Sequence, residues 1–354
     1  MQPELPVDPA LDGAIGDGAW IESTDAVPDN ADLLHRLEAF EDVFETEVGD
    51  TNLVRARHLE RESGLRQLFL KFEGSNPSGT QKDRIAFAQA EDALRRGYDA
   101  VTVATCGNFG VATAMACRIA RLDCVVFIPA RYTTRRIEEM ERDGARIMRV
   151  DGDYEASVEA SREFARAQEI YDANAGGDNT ALQLKAYGQI AYEIYDELRD
   201  APAVVAVSVS NGTTLAGIYR GFVSLYRRGK TSRVPRMVAG SAFRKNPIVE
   251  AWRRKLPTCE NLNPQKIRET EVNEPLVNWH SIDGDLALDA VRDTDGWAEH
   301  ASDRTMKLMA RTLLERESLG ALPAATAGLN ALLTHQAANA LPGDRYVAVL
   351  TGKK

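Results

Sequence analysis

Residues 71–84 read KFEGSNPSGTQKDR, and this stretch decides how the rest of the chain is read. It follows an apolar run, QLFLKF (67–72), that has the length and bounding residues of a buried strand. Two glycines and a proline then make a tight turn, which delivers Lys82 to the start of a helical pattern over 82–96. Gly74 and Gly79 have the separation of a phosphate-cradling P-loop, with ARIMRV (145–150) and Asp151 available for the Walker-B part. However, Thr80 stands where that loop requires lysine, and Lys82 comes two residues late. A surface turn with a solvated lysine is the plain alternative.

Outward from this turn, short apolar runs alternate with helix-period segments. The spacing predicts strands over 67–72, 100–105, 124–129, 145–150, 204–209, 236–241 and 346–351. It predicts helices over 82–96, 109–121, 133–143, 153–168, 186–199 and 213–228. Strands that alternate with helices imply an α/β fold of open, parallel-type twisted sheets with helices on both faces. The runs fall into two groups, so a smaller unit (98–185) is expected to be inserted in a larger one (45–97 and 186–354), with a ligand cleft between them. Residues 1–44 are expected to form an N-terminal arm, whose first thirty residues are rich in Asp, Pro, Gly and Ala.

Composition narrows the function classes. The chain has 354 residues and a formal net charge of -10, which argues against nucleic acid or an anionic membrane as a general partner. No apolar run approaches the roughly 18 residues of a membrane span, and the acidic N-terminus lacks the features of a signal peptide. Cys106, Cys117, Cys124 and Cys259 show no C-x-x-C pair, and the histidines show no H-x-x-x-H, so no metal site is expected. Reduced thiols fit a cytoplasmic protein.

Three further segments carry chemistry. In AVTVATCGNFGVATAMA (100–116), a strand ends in Thr105-Cys106-Gly107-Asn108 and a helix follows, which offers backbone amides to an anion such as a carboxylate. A simple helix cap explains it as well, and Cys106 has no histidine in view that would make it a nucleophile. In VVAVSVSNGTTLAGIYRGF (204–222), a strand, a polar glycine loop and a helix form a cradle suited to a single phosphate. A dinucleotide is disfavoured there, because the G-x-G-x-x-G fingerprint is missing. Finally, YVAVLTGKK (346–354) brings Thr351 to the end of a buried strand.

Taken in order, these segments resemble the pyridoxal-phosphate enzymes of fold type II (tryptophan synthase beta-like), and within them the threonine synthase branch. KFEGSNPSGTQKDR matches the pattern K-x-E-x-x-N-P-T-G-S-F-K-D-R, TCGN the S-S-G-N element, VSNG the V-G-N-G loop, and LTG the closing L-T-G. Residues 271–291 agree more weakly with a P-x-N-W stretch. The resemblance covers about residues 45–352.

It implies that Lys82 holds pyridoxal 5'-phosphate as a Schiff base and shuttles protons. Asn108 would face the cofactor's phenolic oxygen, and Ser210, Asn211, Gly212, Thr213 and Thr214 its phosphate. Thr351 would face the pyridine nitrogen, while Thr105, Cys106, Gly107 and Asn108 would receive the α-carboxylate of an amino-acid substrate. It also implies a homodimer and a lyase or β/γ-replacement activity, with threonine synthase proper (O-phospho-L-homoserine to L-threonine) or a Ser/Thr dehydratase as alternatives. The resemblance fails in one place. Where the family binds a substrate phosphate, GDNTALQ (177–183) puts Asp178 and Gln183 in place of Ser and Arg. An acid repels a phosphate, and the lost arginine removes a bidentate partner. A non-phosphorylated amino acid is therefore expected, with Asp178 reading any positive charge.

Overall fold

The computed structural model describes residues 30–354 apart from Cys106, Thr133 and Pro342. The sheets form where the sequence concentrates β-branched and apolar residues, and every strand expected above is present. In chain order the strands are β1 (Leu53–Arg55), β2 (Leu68–Phe72), β3 (Ala100–Ala104), β4 (Asp123–Pro129), β5 (Arg146–Val150), β6 (Tyr171–Asp172), β7 (Val204–Ser208), β8 (Arg236–Ala242), β9 (Trp297–Ala301) and β10 (Tyr346–Leu350). The helices are α1 (Asn30–Glu47), α2 (Arg57–Ser63), α3 (Lys82–Arg95), α4 (Asn108–Ala120), α5 (Arg136–Arg142), α6 (Tyr154–Gln168), α7 (Thr180–Leu198), α8 (Thr213–Arg227), α9 (Pro247–Arg254), α10 (Gly284–Asp293), α11 (Asp303–Glu317) and α12 (Ala327–Ala338).

Six strands form one sheet in the order β1-β2-β10-β7-β8-β9, and four form a second in the order β5-β4-β3-β6. Among the described strands only β1, at an edge, runs antiparallel to its neighbour. The period of two along each strand sends side chains to both faces. On β7, Val205 and Val207 pack into one apolar cluster, while Val204 and Ala206 pack into another with Leu329 and Leu332 of α12. On the smaller sheet Val126 and Ile128 face one way, and Val125 and Phe127 the other, against Val158 of α6. Both sheets are thus covered by helices on two faces, as buried parallel sheets require.

Two regions differ from the sequence-based expectation. Residues 30–44, assigned to the arm, form most of α1; Phe40 is fully buried and stacks on Phe87 of α3 with ring centroids 5.5 Å apart. Residues 1–29 lie outside the described residues. Helix α7 starts at Thr180 instead of 186, because Asn179 anchors the preceding turn by donating to the carbonyls of Asp172 and Asn174. Among the described residues, no helix is long and apolar enough to cross a membrane.

Helices α7 and α8 cross closely because glycines face each other. A Cβ on Gly221 would sit 2.6 Å from the Gly188 carbonyl oxygen and 2.7 Å from the Ala191 Cβ. Neither neighbour can swing away, so a side chain must push the helices apart. Gly221→Leu is expected to destabilise the fold by about 1–3 kcal/mol, read as a lower urea midpoint; an unchanged midpoint would refute the contact.

Candidate active site

The carboxyl ends of β2, β3, β7 and β10 open toward one cavity, the position where parallel sheets present loops to ligands. The turn after β2 carries Lys82 there, and it is built on a buried ion cluster. Arg84 is bidentate to Glu73 (2.6 and 2.9 Å) and to Glu193 of α7 (2.6 and 2.8 Å). Lys71 Nζ lies 2.5 Å from Glu193 and donates to the Thr51 carbonyl. The Thr51 hydroxyl and the Asn76 amide donate to Glu73 at 2.7 and 3.0 Å. Two cations and two carboxylates thus neutralise one another, and most of their remaining hydrogen-bonding capacity is used, which is what lets them stay buried.

The chain's end closes the turn from the other side. Gln81 N donates to the Thr351 carbonyl at 3.0 Å, and Lys353 N to the Gly79 carbonyl at 2.9 Å. Gly79 has φ +86°, and a Cβ there would meet the Lys353 side chain at 2.4 Å, so the turn needs glycine. Thr351 and Lys82 are in this way fixed relative to each other.

The cavity encloses about 130 Å³, and its lining includes Lys82, Asn108, Ser210, Asn211, Gly212, Thr213, Thr214 and Thr351. These expected cofactor contacts are brought together from four separate segments of the chain. Lys82 Nζ lies 5.7 Å from the Phe109 ring centroid and 6.0 Å from that of Tyr187. Among the described residues no carboxylate pairs with it, and burial lowers its pKa to about 8. A lysine so placed is partly neutral near physiological pH and can act as nucleophile and base.

At the opposite end of the cavity, Gly212 caps α8 with φ +93°. A Cβ there would meet the Asp283 carbonyl oxygen at 2.7 Å, so the loop admits only glycine. The amides of the first turn of α8 lack acceptors within the helix, and no side chain caps them. This set suits a phosphorylated pyridoxal group: a neutral amine for its aldehyde, amides and threonine hydroxyls for its phosphate, and the Thr351 hydroxyl for its ring nitrogen.

The residues expected to meet substrate are placed less uniformly. Thr105 is buried at the end of β3, its N–H donating to the Phe127 carbonyl, and Gly107 caps α4. Cys106 lies outside the described residues. Asp178 is exposed on a 3-10 turn, and Gln183 is buried on α7 with its amide nitrogen unpartnered among the described residues; neither is among the described residues that line the cavity.

Residues not singled out from sequence hold the glycine loop from behind. Asn246 and Ser281 both donate to the Ser210 carbonyl at 2.9 Å, Asn278 donates to the Asn211 side chain, and Asp283 accepts from the Thr213 hydroxyl at 2.5 Å. The agreement noted over residues 271–291 covered three of these four without identifying any of them.

Comparison with known proteins agrees with this architecture. Residues 44–352 match the family profile described as pyridoxal-phosphate dependent enzyme. The threonine synthase of Methanocaldococcus jannaschii is 28% identical over 309 residues, covering 86% of this chain and 74% of that protein. The threonine synthase of Bacillus sp. (strain ULM1) is 25% identical over 312 residues, covering 86% and 82%. Among solved structures, maize serine racemase superposes with a TM-score of 0.73 at 16% identity over 91% of this chain and 94% of that one. The processed form of threonine deaminase isoform 2 from Solanum lycopersicum gives 0.74 at 13% identity, covering 92% and 90%.

The ion cluster makes stability depend on acid. Burial alone would raise the Glu193 carboxyl, but Arg84 and Lys71 outweigh it and hold its pKa at about 2. The depressed folded value means that this contribution is complete above the unfolded pKa of roughly 4.3 and is lost as pH falls toward about 2. Glu193→Gln leaves Lys71 without a carboxylate and Arg84 with Glu73 alone, and is expected to cost about 3 kcal/mol at neutral pH. Urea titrations should show that deficit shrinking between about pH 4.5 and 2; a deficit independent of pH would contradict the pairing.

Proposed function

The chain belongs to the pyridoxal-phosphate dependent enzymes, and from that premise we propose that it is a threonine synthase-like lyase acting at the β or γ carbon of a non-phosphorylated amino acid. When bound, pyridoxal phosphate supplies an electron sink for the pair left at the substrate's α-carbon. Lys82 Nζ is the group that takes the α-proton and returns one. Its dry surroundings leave part of the population neutral, as a base near neutral pH requires. A threonine at position 351, in place of a carboxylate, would not hold a proton on the ring nitrogen and would support elimination and replacement over transamination. Thr105 and the amides around Gly107 and Asn108 would bind and orient the α-carboxylate.

The observation that carries the choice of a non-phosphorylated substrate is the charge of the cavity. Among the described residues that line it, Lys82 alone is ionisable. A second phosphate, on the substrate, would be favoured by a cation, and the position where the family carries arginine holds the neutral Gln183, buried on α7 and outside this cavity. A second reading, conversion of O-phospho-L-homoserine to L-threonine, is favoured by the relatives named threonine synthase. The free thiols of Cys117, Cys124 and Cys259 support the cytoplasmic location expected from the sequence, and the homodimer remains part of this reading.

The test is a spectral scan of the holoenzyme with phosphohomoserine, phosphoserine, O-acetylserine, threonine and basic amino acids. An unphosphorylated member is expected to shift the cofactor's absorbance and release product. A response confined to phosphohomoserine would overturn the proposal in favour of threonine synthase.

A further inference from the structure

The loop that faces the cofactor's phosphate has a carboxylate built against it. Asp283 is 4% exposed, its N–H donates to the Asn211 carbonyl at 3.0 Å, and its Oδ2 accepts from Thr213 Oγ1 at 2.5 Å. Thr180, at the start of α7, also favours the ionised form of the same carboxyl. An anion-binding loop is an unfavourable place for a buried acid, because each charge disfavours the other. The elements packed around it carry Asp285, Asp289, Arg292 and Asp293 on α10 itself, Cys259 beside Gly284, Glu250, Arg253 and Arg254 on α9, and Tyr219, Arg220, Tyr226 and Arg227 on α8. None of them forms a hydrogen bond or ion pair with Asp283 among the described residues.

We infer that Asp283 is a positioning residue of the phosphate cradle, turning the Thr213 hydroxyl away from the anion when ionised and releasing it toward the anion when protonated. A threonine hydroxyl has one proton to donate. While Asp283 is ionised, that proton goes to Oδ2 and Thr213 shows the phosphate only lone pairs. A protonated Asp283 instead donates to Thr213 Oγ1, and the threonine's own proton is free for the phosphate. Burial already raises the Asp283 carboxyl, against the opposing influence of the Thr213 hydrogen bond and of Thr180, so a bound phosphate ester should draw a proton onto it. This rests on the reading above that Gly212–Thr214 hold the cofactor's phosphate.

The experiment compares pyridoxal phosphate with pyridoxal, which lacks the anion, on the full-length apoprotein. Affinities are read from intrinsic fluorescence, and proton uptake from calorimetry in two buffers of different ionisation enthalpy. At about pH 8 the free ester, with a second pKa of about 6, is a dianion. Wild type is expected to take up more protons with pyridoxal phosphate than with pyridoxal. Asp283→Asn, which lacks the charge, should lose that difference and bind pyridoxal phosphate about ten-fold tighter, a difference of about 1.4 kcal/mol, with pyridoxal unchanged. Equal proton uptake for the two ligands in wild type overturns the inference without needing the variant to fold; so does weaker or unchanged pyridoxal phosphate binding by a folded Asp283→Asn. If wild type binds pyridoxal as tightly as pyridoxal phosphate, the cradle reading itself fails, and the inference with it.

Discussion

Everything at the active site hangs on the buried pairing of Arg84 with Glu73 and Glu193. Arg84 is the second residue after Lys82 on α3, Glu73 begins the turn that leads to it, and Glu193 comes from α7. A guanidinium taken out of water must find carboxylates in a fixed, planar arrangement or unfold the segment that carries it. That requirement sets the direction in which α3 leaves β2, and with it the place of Lys82. The interaction is costly to build and costly to break, so it contributes specificity of conformation more than net stability.

A second constraint acts on the opposite side of the cavity. The Ser210–Gly212 loop lacks regular pairing of its own, and its shape depends on Asn246, Asn278, Ser281 and Asp283. The two constraints meet through α7, which supplies Glu193 to one and packs through Gly188 against α8, the helix that begins at the glycine loop. The cavity is therefore held in shape by side chains that lie far apart in sequence.

Much of this was legible from the chain alone, and the reasons for what was not are physical. Lys82, the glycine loop at 210–214 and Thr351 could be read because each follows a strand within one contiguous motif. Asp283 and Glu193 could not, since their partners lie 70 and 109 residues away and nothing local marks them. Strands β1 and β6 have three and two residues, too few for a period to show. Strand β9 mixes Glu299 and His300 into an edge position, so its pattern is not apolar. Helix α11 buries only Met306 and Leu313 and offers no apolar stripe, whereas the Asn246-Pro247 start of α9 is a cap that could have been recognised.

We propose that Lys82, and no other lysine, carries the cofactor. Borohydride reduction of the protein loaded with pyridoxal phosphate, followed by peptide mapping, tests it directly. A single modified peptide spanning Lys82 is expected, with the label absent from Lys82→Ala. Modification centred on Lys71, Lys185 or Lys353 would contradict it.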